Sequence, residues 1–256
     1  MKIRNLLFII IVVVSCNNNA NAQAHRTKSE NFFGIQVKPL IPFGLVGDQA
    51  FDMAEDGFET TISPIFGYSY GGIVRIGLTE LLAIETGINY TRRNYKASYS
   101  VPDSNVYAED DLGYVSFDIP LNFLVYIKLG KQIYMNVGIG ASGNFNASNI
   151  RSLINPEGKH LFIFEGKRYN YFDFNANADL GFEYRTHSSG TIYLGLSSRV
   201  PFSPALEIAT AYEFGTYKTV AKTDIDGSTF ALCLKYFFHN QKRKKGVQFE
   251  GGPIEQ

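Results

Sequence analysis

Gly113–Lys128 reads GYVSFDIPLNFLVYIK. Its odd positions, Val115, Phe117, Ile119, Leu121, Phe123, Val125 and Ile127, are all large and apolar. Its even positions, Tyr114, Ser116, Asp118, Pro120, Asn122, Leu124, Tyr126 and Lys128, are mostly polar. Strict alternation predicts a β-strand with one face in an apolar medium and the other in a polar one. The run is longer than the usual strand of about 5–6 residues. It also exceeds the roughly 9–11 residues that a tilted strand needs to cross a membrane.

Seven further segments repeat the pattern: Phe32–Phe43, Ile62–Leu78, Leu81–Tyr95, Lys131–Asn146, Tyr169–Arg185, Thr191–Pro201 and Gly227–Phe238. Long connections (Gly44–Thr61, Lys96–Leu112, Ala147–Arg168, Phe202–Asp226) alternate with short ones (Thr79–Glu80, Leu129–Gly130, Thr186–Gly190). Short periplasmic turns, longer external loops and an even strand count are the signature of outer-membrane barrels. The expected fold is all-β: an eight-stranded antiparallel up-and-down transmembrane β-barrel over 32–239, with extracellular long loops and periplasmic termini. Ser203–Phe214 is ambiguous. Ser203 and Pro204 could start a short helix, or the segment could extend the seventh strand. A ninth crossing is rejected because it would make the count odd.

The 256 residues carry 24 basic and 24 acidic side chains, so no net charge favours a nucleic-acid partner. Residues 1–22 have the form of a secretory signal: Lys2 and Arg4, an apolar Leu6–Val14, then Ala20-Asn21-Ala22. Val13-Val14-Ser15-Cys16 also resembles a loose lipobox, which would leave Cys16 acylated; cleavage after Ala22 is the preferred reading. It removes Cys16 and leaves Cys233 without an intramolecular partner. Residues 23–31 read as a periplasmic lead-in. Residues 240–256, with Lys242-Arg243-Lys244-Lys245, read as a basic periplasmic tail, a solubilising segment or a contact for anionic lipid.

A soluble barrel would place the apolar face inside. Here the polar face is rich in Gly, Asn and Ser, which suit a narrow lumen filled by side chains. The apolar face carries Phe33, Tyr90, Phe145, Phe172, Tyr184, Tyr236 and Phe238, fit for interfacial girdles. The register then encloses Lys38, Arg75, Arg93, Lys128, Arg185, Arg199 and Lys235 with Glu85, Asp118, Asp173, Asp179 and Glu183. Enclosed charges must be paired or hydrated, so a cross-linked polar plug is expected. Parity about Glu80 sets Arg75 opposite Glu85 and predicts a salt bridge. Pro120 lacks a ladder donor, so a bulge or a missing bond is expected beside it.

Asp118-Ile119-Pro120-Leu121 resembles the strand core of small outer-membrane barrels called PorT-like. Gly71–Gly77 through Glu85–Tyr90 is similar to that family's second hairpin, and Leu234–Phe238 to its terminal strand. The resemblance spans roughly residues 32–239. It implies an outer-membrane barrel, one member type of which serves a secretion system. Such chains commonly end on the aromatic of that last strand, whereas here 240–256 follow.

No catalytic, cofactor or metal site is expected. His25, His187 and His239 fall on the periplasmic side or the periphery, and His160 reads as a solvated loop residue. Asp224-x-Asp226-Gly227 begins like a calcium loop, but the later ligands are missing and a turn fits better. Glu109-Asp110-Asp111 reads as a solvated acidic run, and Cys233 as a small inward filler. The expected role is non-enzymatic: structural, binding or assembly, through the long loops. Outer-membrane lipids, the barrel assembly machinery and a secretion-system or extracellular protein are the expected partners. A lipid-modifying enzyme and a narrow pore are the alternatives.

Overall fold

A computed structural model of the chain describes residues 31–41, 50–186 and 189–239. The readings of a signal at 1–22, a lead-in before Asn31 and a basic tail at 240–256 fall outside them, with Cys16, His25 and His187. The described strands are β1 (Asn31–Ile41), β2 (Phe51–Glu55), β3 (Phe58–Gly77), β4 (Leu82–Val101), β5 (Val106–Lys128), β6 (Ile133–Asn146) and β7 (Ile150–Ile154). They continue with β8 (His160–Arg168), β9 (Phe172–Arg185), β10 (Thr191–Pro201), β11 (Leu206–Phe214), β12 (Tyr217–Ile225) and β13 (Thr229–Phe237).

The nine-strand sheet runs β1-β13-β10-β9-β6-β5-β4-β3-β2, and an antiparallel ladder between β1 and β3 closes eight of these strands into a ring. Closure leaves no backbone edge at the level of the ring. The ring is apolar outside and polar within: Phe117, Ile119 and Leu121 are exposed, while Ser116, Asp118 and Asn122 are buried. An exposed apolar face that encircles a closed sheet fits hydrocarbon, not water.

Most of the described residues of the long connections are strand, not loop. β3, β4 and β5 run 20, 20 and 23 residues, about twice what a membrane crossing requires. A second sheet, β12-β11-β8-β7, stands above the ring. Its strand β12 lies beside β2, and β7 lies beside β5. This cap encloses an apolar core that includes Phe58, Ile62, Tyr99, Phe162, Ile208 and Tyr212. The inward face of β4 shows the transition: Glu85, Asn89, Thr91 and Arg93 are followed by Tyr95, Ala97, Tyr99 and Val101, all buried. Side-chain parity is unchanged while the polarity of both faces inverts, because the strand has left lipid for water.

Several expectations need correction here. Ser203–Phe214 contains β11, neither a helix nor an extension of the seventh strand. It pairs with β8 and β12 and so adds no crossing. Glu109-Asp110-Asp111 lies within β5, where Glu109 pairs with Lys96 at 2.5 Å. Lys128 is exposed rather than enclosed, since it ends β5 beyond the first residue of β4. At Pro120 the expectation holds in its second form, a missing bond, and no bulge forms in this ladder. The β4–β5 ladder keeps its register but is interrupted between Thr86↔Leu121 and Asn89↔Asp118, which leaves Pro120 opposite Gly87 without a rung. The bulge lies instead in β3, between Ile65 and Tyr68. It switches the inward positions from Phe58, Thr60 and Ile62 to Ser69, Ile73 and Arg75.

Candidate functional site

Among the described residues the interior of the ring gathers most of the buried charged side chains, and it has three levels. The lowest is an ion cluster. Antiparallel register sets Arg75 opposite Glu85, as parity about Glu80 requires. Arg75 reaches Glu85 Oε2 with Nη2 at 2.7 Å and Nε at 3.1 Å, and Glu183 Oε2 with Nη1 at 2.5 Å. Lys235 bonds Glu85 Oε1 and approaches Asp179 Oδ2 at 3.7 Å, while Arg185 bonds Glu183 Oε1 at 2.6 Å. Three cations thus meet three carboxylates. The Arg75 guanidinium lies 3.9 Å from the Phe237 ring centroid, and Arg75 and Lys235 are each only 1% exposed. Ala83, Leu124, Tyr126 and Tyr134 pack beside them.

Glycines make this level possible. A Cβ on Gly195 would lie 2.4 Å from Tyr193 Oη and 2.5 Å from the Leu180 carbonyl, and one on Gly181 would lie 2.7 Å from Tyr193 Cζ. The Tyr193 ring therefore folds flat over two bare backbones and sits 4.9 Å from Lys235 Nζ.

The middle level is a polar chamber of about 40 Å³, lined from all eight ring strands and including Lys38, Asp118, Asn122, Asp179, Ser197 and Arg199. That volume holds a few water molecules at most. Asp118 pairs with Arg199 and accepts from Thr91 Oγ1 at 2.6 Å. Lys38 Nζ donates to Ser197 Oγ at 3.2 Å, and Asn122 Nδ2 to Asp179 Oδ2 at 3.1 Å.

The top level joins lumen to cap. Arg93 donates to Ser116 Oγ at 3.1 Å and lies 5.3 Å from the Tyr114 ring. Asp173 accepts from Asn146 Nδ2 at 2.5 Å and from Ser203 Oγ at 3.1 Å. Above them the apolar cap core begins. The structure places Lys38, Arg75, Glu85, Arg93, Asp118, Asp173, Asp179, Glu183, Arg199 and Lys235 on the inner side of the ring at these three levels, with Asp179 joining the ion cluster to the chamber through Lys235 and Asn122.

His160 is not a solvated loop residue. It is 8% exposed, its Nδ1 lies 2.7 Å from Tyr212 Oη, and its ring stacks on Phe214 at 4.6 Å. Burial pushes the Tyr99 hydroxyl well above its ordinary range, and the nearby Asp110 carboxylate adds to the shift. Cys233 is buried in the wall. Gly227, at φ 77°, makes the turn into β13 at the Asp224-x-Asp226 segment. The sequence reading missed the cap core altogether. Its signal was the alternation in Lys96–Val101, KASYSV, with the apolar residues on the inward parity.

A family model described as "Outer membrane protein beta-barrel domain" matches residues 21–207, from before β1 into β11. No curated protein matches the chain. Among solved structures, the outer membrane protein OprG from Pseudomonas aeruginosa matches at 10% identity, covering 82% of this chain and 95% of that one, with a TM-score of 0.45. The outer membrane protease OmpT from Escherichia coli matches at 9% identity over 82% of this chain and 95% of that one, with a TM-score of 0.38. With its all-β ring and a family match over most of its length, this chain belongs to the outer membrane protein beta-barrel domain family and is a protein of the bacterial outer membrane.

Proposed function

We propose that the chain is an eight-stranded up-and-down barrel that neither conducts nor catalyses, and that its work is binding or assembly through a cap on the cell surface. The observation that carries this reading is the stacking of the interior. A buried ion cluster fills the base, a chamber of about 40 Å³ holds the middle, and an aromatic core fills the top. A solute would have to separate Arg75 from two carboxylates and then displace Phe162 and Tyr212. The cap, by contrast, offers a rigid strand framework. Its hairpins turn at Gly158 (φ 73°) and Gly215 (φ 60°), and Tyr217 Oη donates to the Asp56 carbonyl at 2.9 Å across the β2–β12 seam. An outward cap keeps the short turns and both ends of the ring on the periplasmic side, which agrees with barrel precedent.

The resemblance at Asp118–Leu121 adds a narrower reading, an accessory of a secretion system in the manner of PorT-like barrels. Two measurements test the proposal. Protein reconstituted in planar bilayers should give no discrete current steps, and excision of the β11–β12 hairpin should abolish partner recovery from cross-linked cells while heat-dependent gel mobility persists. Steady single-channel currents from the intact protein would overturn it.

A further inference from the structure

One stretch of the outer wall differs from the rest of the apolar belt. The registers place Tyr70, Tyr90, Phe117, Phe145 and Phe172 opposite one another in turn, a single aromatic row across β3, β4, β5, β6 and β9. Three of its four neighbouring pairs are in ring contact, at 5.2 Å for Tyr70–Tyr90, 5.7 Å for Tyr90–Phe117 and 5.2 Å for Phe145–Phe172. On the side away from the cap the wall is notched. Gly143 lies between Ile119 and Phe174, and a Cβ there would meet nothing within 4 Å.

On the cap side of the same row sit two guanidinium groups. Arg92 points outward, with Nε donating to Asn94 Oδ1 at 3.1 Å. Asn94 is fixed in turn by donating Nδ2 to the Phe66 carbonyl at 2.9 Å, inside the β3 bulge. The group lies over Gly113, where a Cβ would come within 3.2 Å of Nε and 3.3 Å of Nη2. Arg168 is the last residue of β8 and reaches the backbone at the end of β6. Its Nη1 donates to the carbonyls of Asn146 at 3.0 Å and Ala147 at 3.1 Å, and its guanidinium covers the Tyr171 ring at 3.9 Å. Arg92 stands opposite Val115, whose carbonyl accepts from the Ala147 N–H at 3.1 Å. The two anchoring backbones are therefore two strand spacings apart, about 10 Å. Among the described residues no carboxylate pairs with either group, so each keeps N–H donors for an outside acceptor.

We infer that this strip binds a phosphorylated glycolipid of the lipid A class: Arg92 and Arg168 hold the phosphates, the aromatic row supports the glycosidic region, and one acyl chain enters the notch at Gly143. Planar forks with unused donors match phosphate oxygens. Aromatic side chains belong at the level where hydrocarbon gives way to head groups. The assignment to the outer leaflet rests on the cap orientation proposed above; the phosphate site itself does not.

The test uses folded full-length protein in detergent and native mass spectrometry. The probes are a diphosphorylated lipid A, the same lipid after phosphatase treatment, and inorganic phosphate. The diphosphorylated lipid should bind roughly 30-fold more tightly to the native protein than to R92Q/R168Q, as two cationic contacts at a membrane surface imply. Phosphatase treatment should produce a similar loss, and inorganic phosphate at equal concentration should not compete. G113V, which displaces Arg92 without removing its charge, should weaken binding with heat-dependent gel mobility unchanged. Equal affinity for the dephosphorylated lipid, native affinity in R92Q/R168Q, or full competition by free phosphate would each overturn the site. Labelling of T216C on intact cells tests the leaflet separately. A label that reaches Cys only after lysis would overturn the outer-leaflet assignment and the outward cap, with lipid retention by purified protein still deciding the phosphate site.

Discussion

Removing Glu85 should unbalance the base of the barrel. The cluster comprises Arg75, Lys235 and Arg185 against Glu85, Glu183 and Asp179, so its formal charge is zero. Glu85 serves two of those cations, and both are almost fully buried. E85L therefore leaves one uncompensated positive charge where water hardly reaches. Breaking a buried pair from one side costs about 3–5 kcal/mol, whereas replacing both partners with apolar groups is often close to neutral. R75L/E85L restores the balance. Glu183 keeps Arg185 at 2.6 Å, and Lys235 keeps Asp179 at 3.7 Å. The double variant should thus recover most of the loss, roughly 2–4 kcal/mol of it. Equilibrium urea unfolding in lipid vesicles, followed by heat-dependent gel mobility and tyrosine fluorescence, measures both. If E85L costs less than about 1 kcal/mol, or the double variant is less stable than the single, then the cluster is hydrated and the account of a sealed base fails.

Other outcomes follow from the same geometry. F162A, which removes a ring stacked against Phe58 at 6.0 Å and Tyr99 at 5.3 Å, should cost the cap about 3–5 kcal/mol. Limited proteolysis should then cut the β7–β8 and β11–β12 hairpins while the ring keeps its gel mobility. G138A would place a Cβ 2.7 Å from Leu124 Cδ2, an overpacking worth about 1–3 kcal/mol, and G138A/L124A should recover part of it in the urea midpoint. The hydrogen bond from Lys96 holds the Glu109 carboxyl below its ordinary range. A carboxylate with a depressed folded pKa contributes stability above its unfolded value and loses it as pH falls through the folded one. The urea midpoints of native protein and K96Q should therefore converge on acidification and also in high salt, since this is an exposed pair; a difference that grows in acid would contradict the sign.

Alternation alone determined the ring of this protein. In Gly113–Lys128 the period of two, the run length and the small polar residues fixed the strand and its two media, and parity across Thr79–Glu80 was enough to pair Arg75 with Glu85. What alternation cannot carry is which medium lies on which side once the strand leaves the membrane. Ala97, Tyr99 and Val101 keep the inward parity of Thr91 and Arg93. They face other apolar side chains only because β7–β8 and β11–β12, distant in sequence, fold over them. The division of the lumen into three levels, the burial of His160 against Tyr212 and the pairing of Arg92 with Arg168 on one wall likewise arise from strands brought together by ring closure. Local periodicity reports the immediate solvent of a residue; partners more than a hairpin away are set by the tertiary fold.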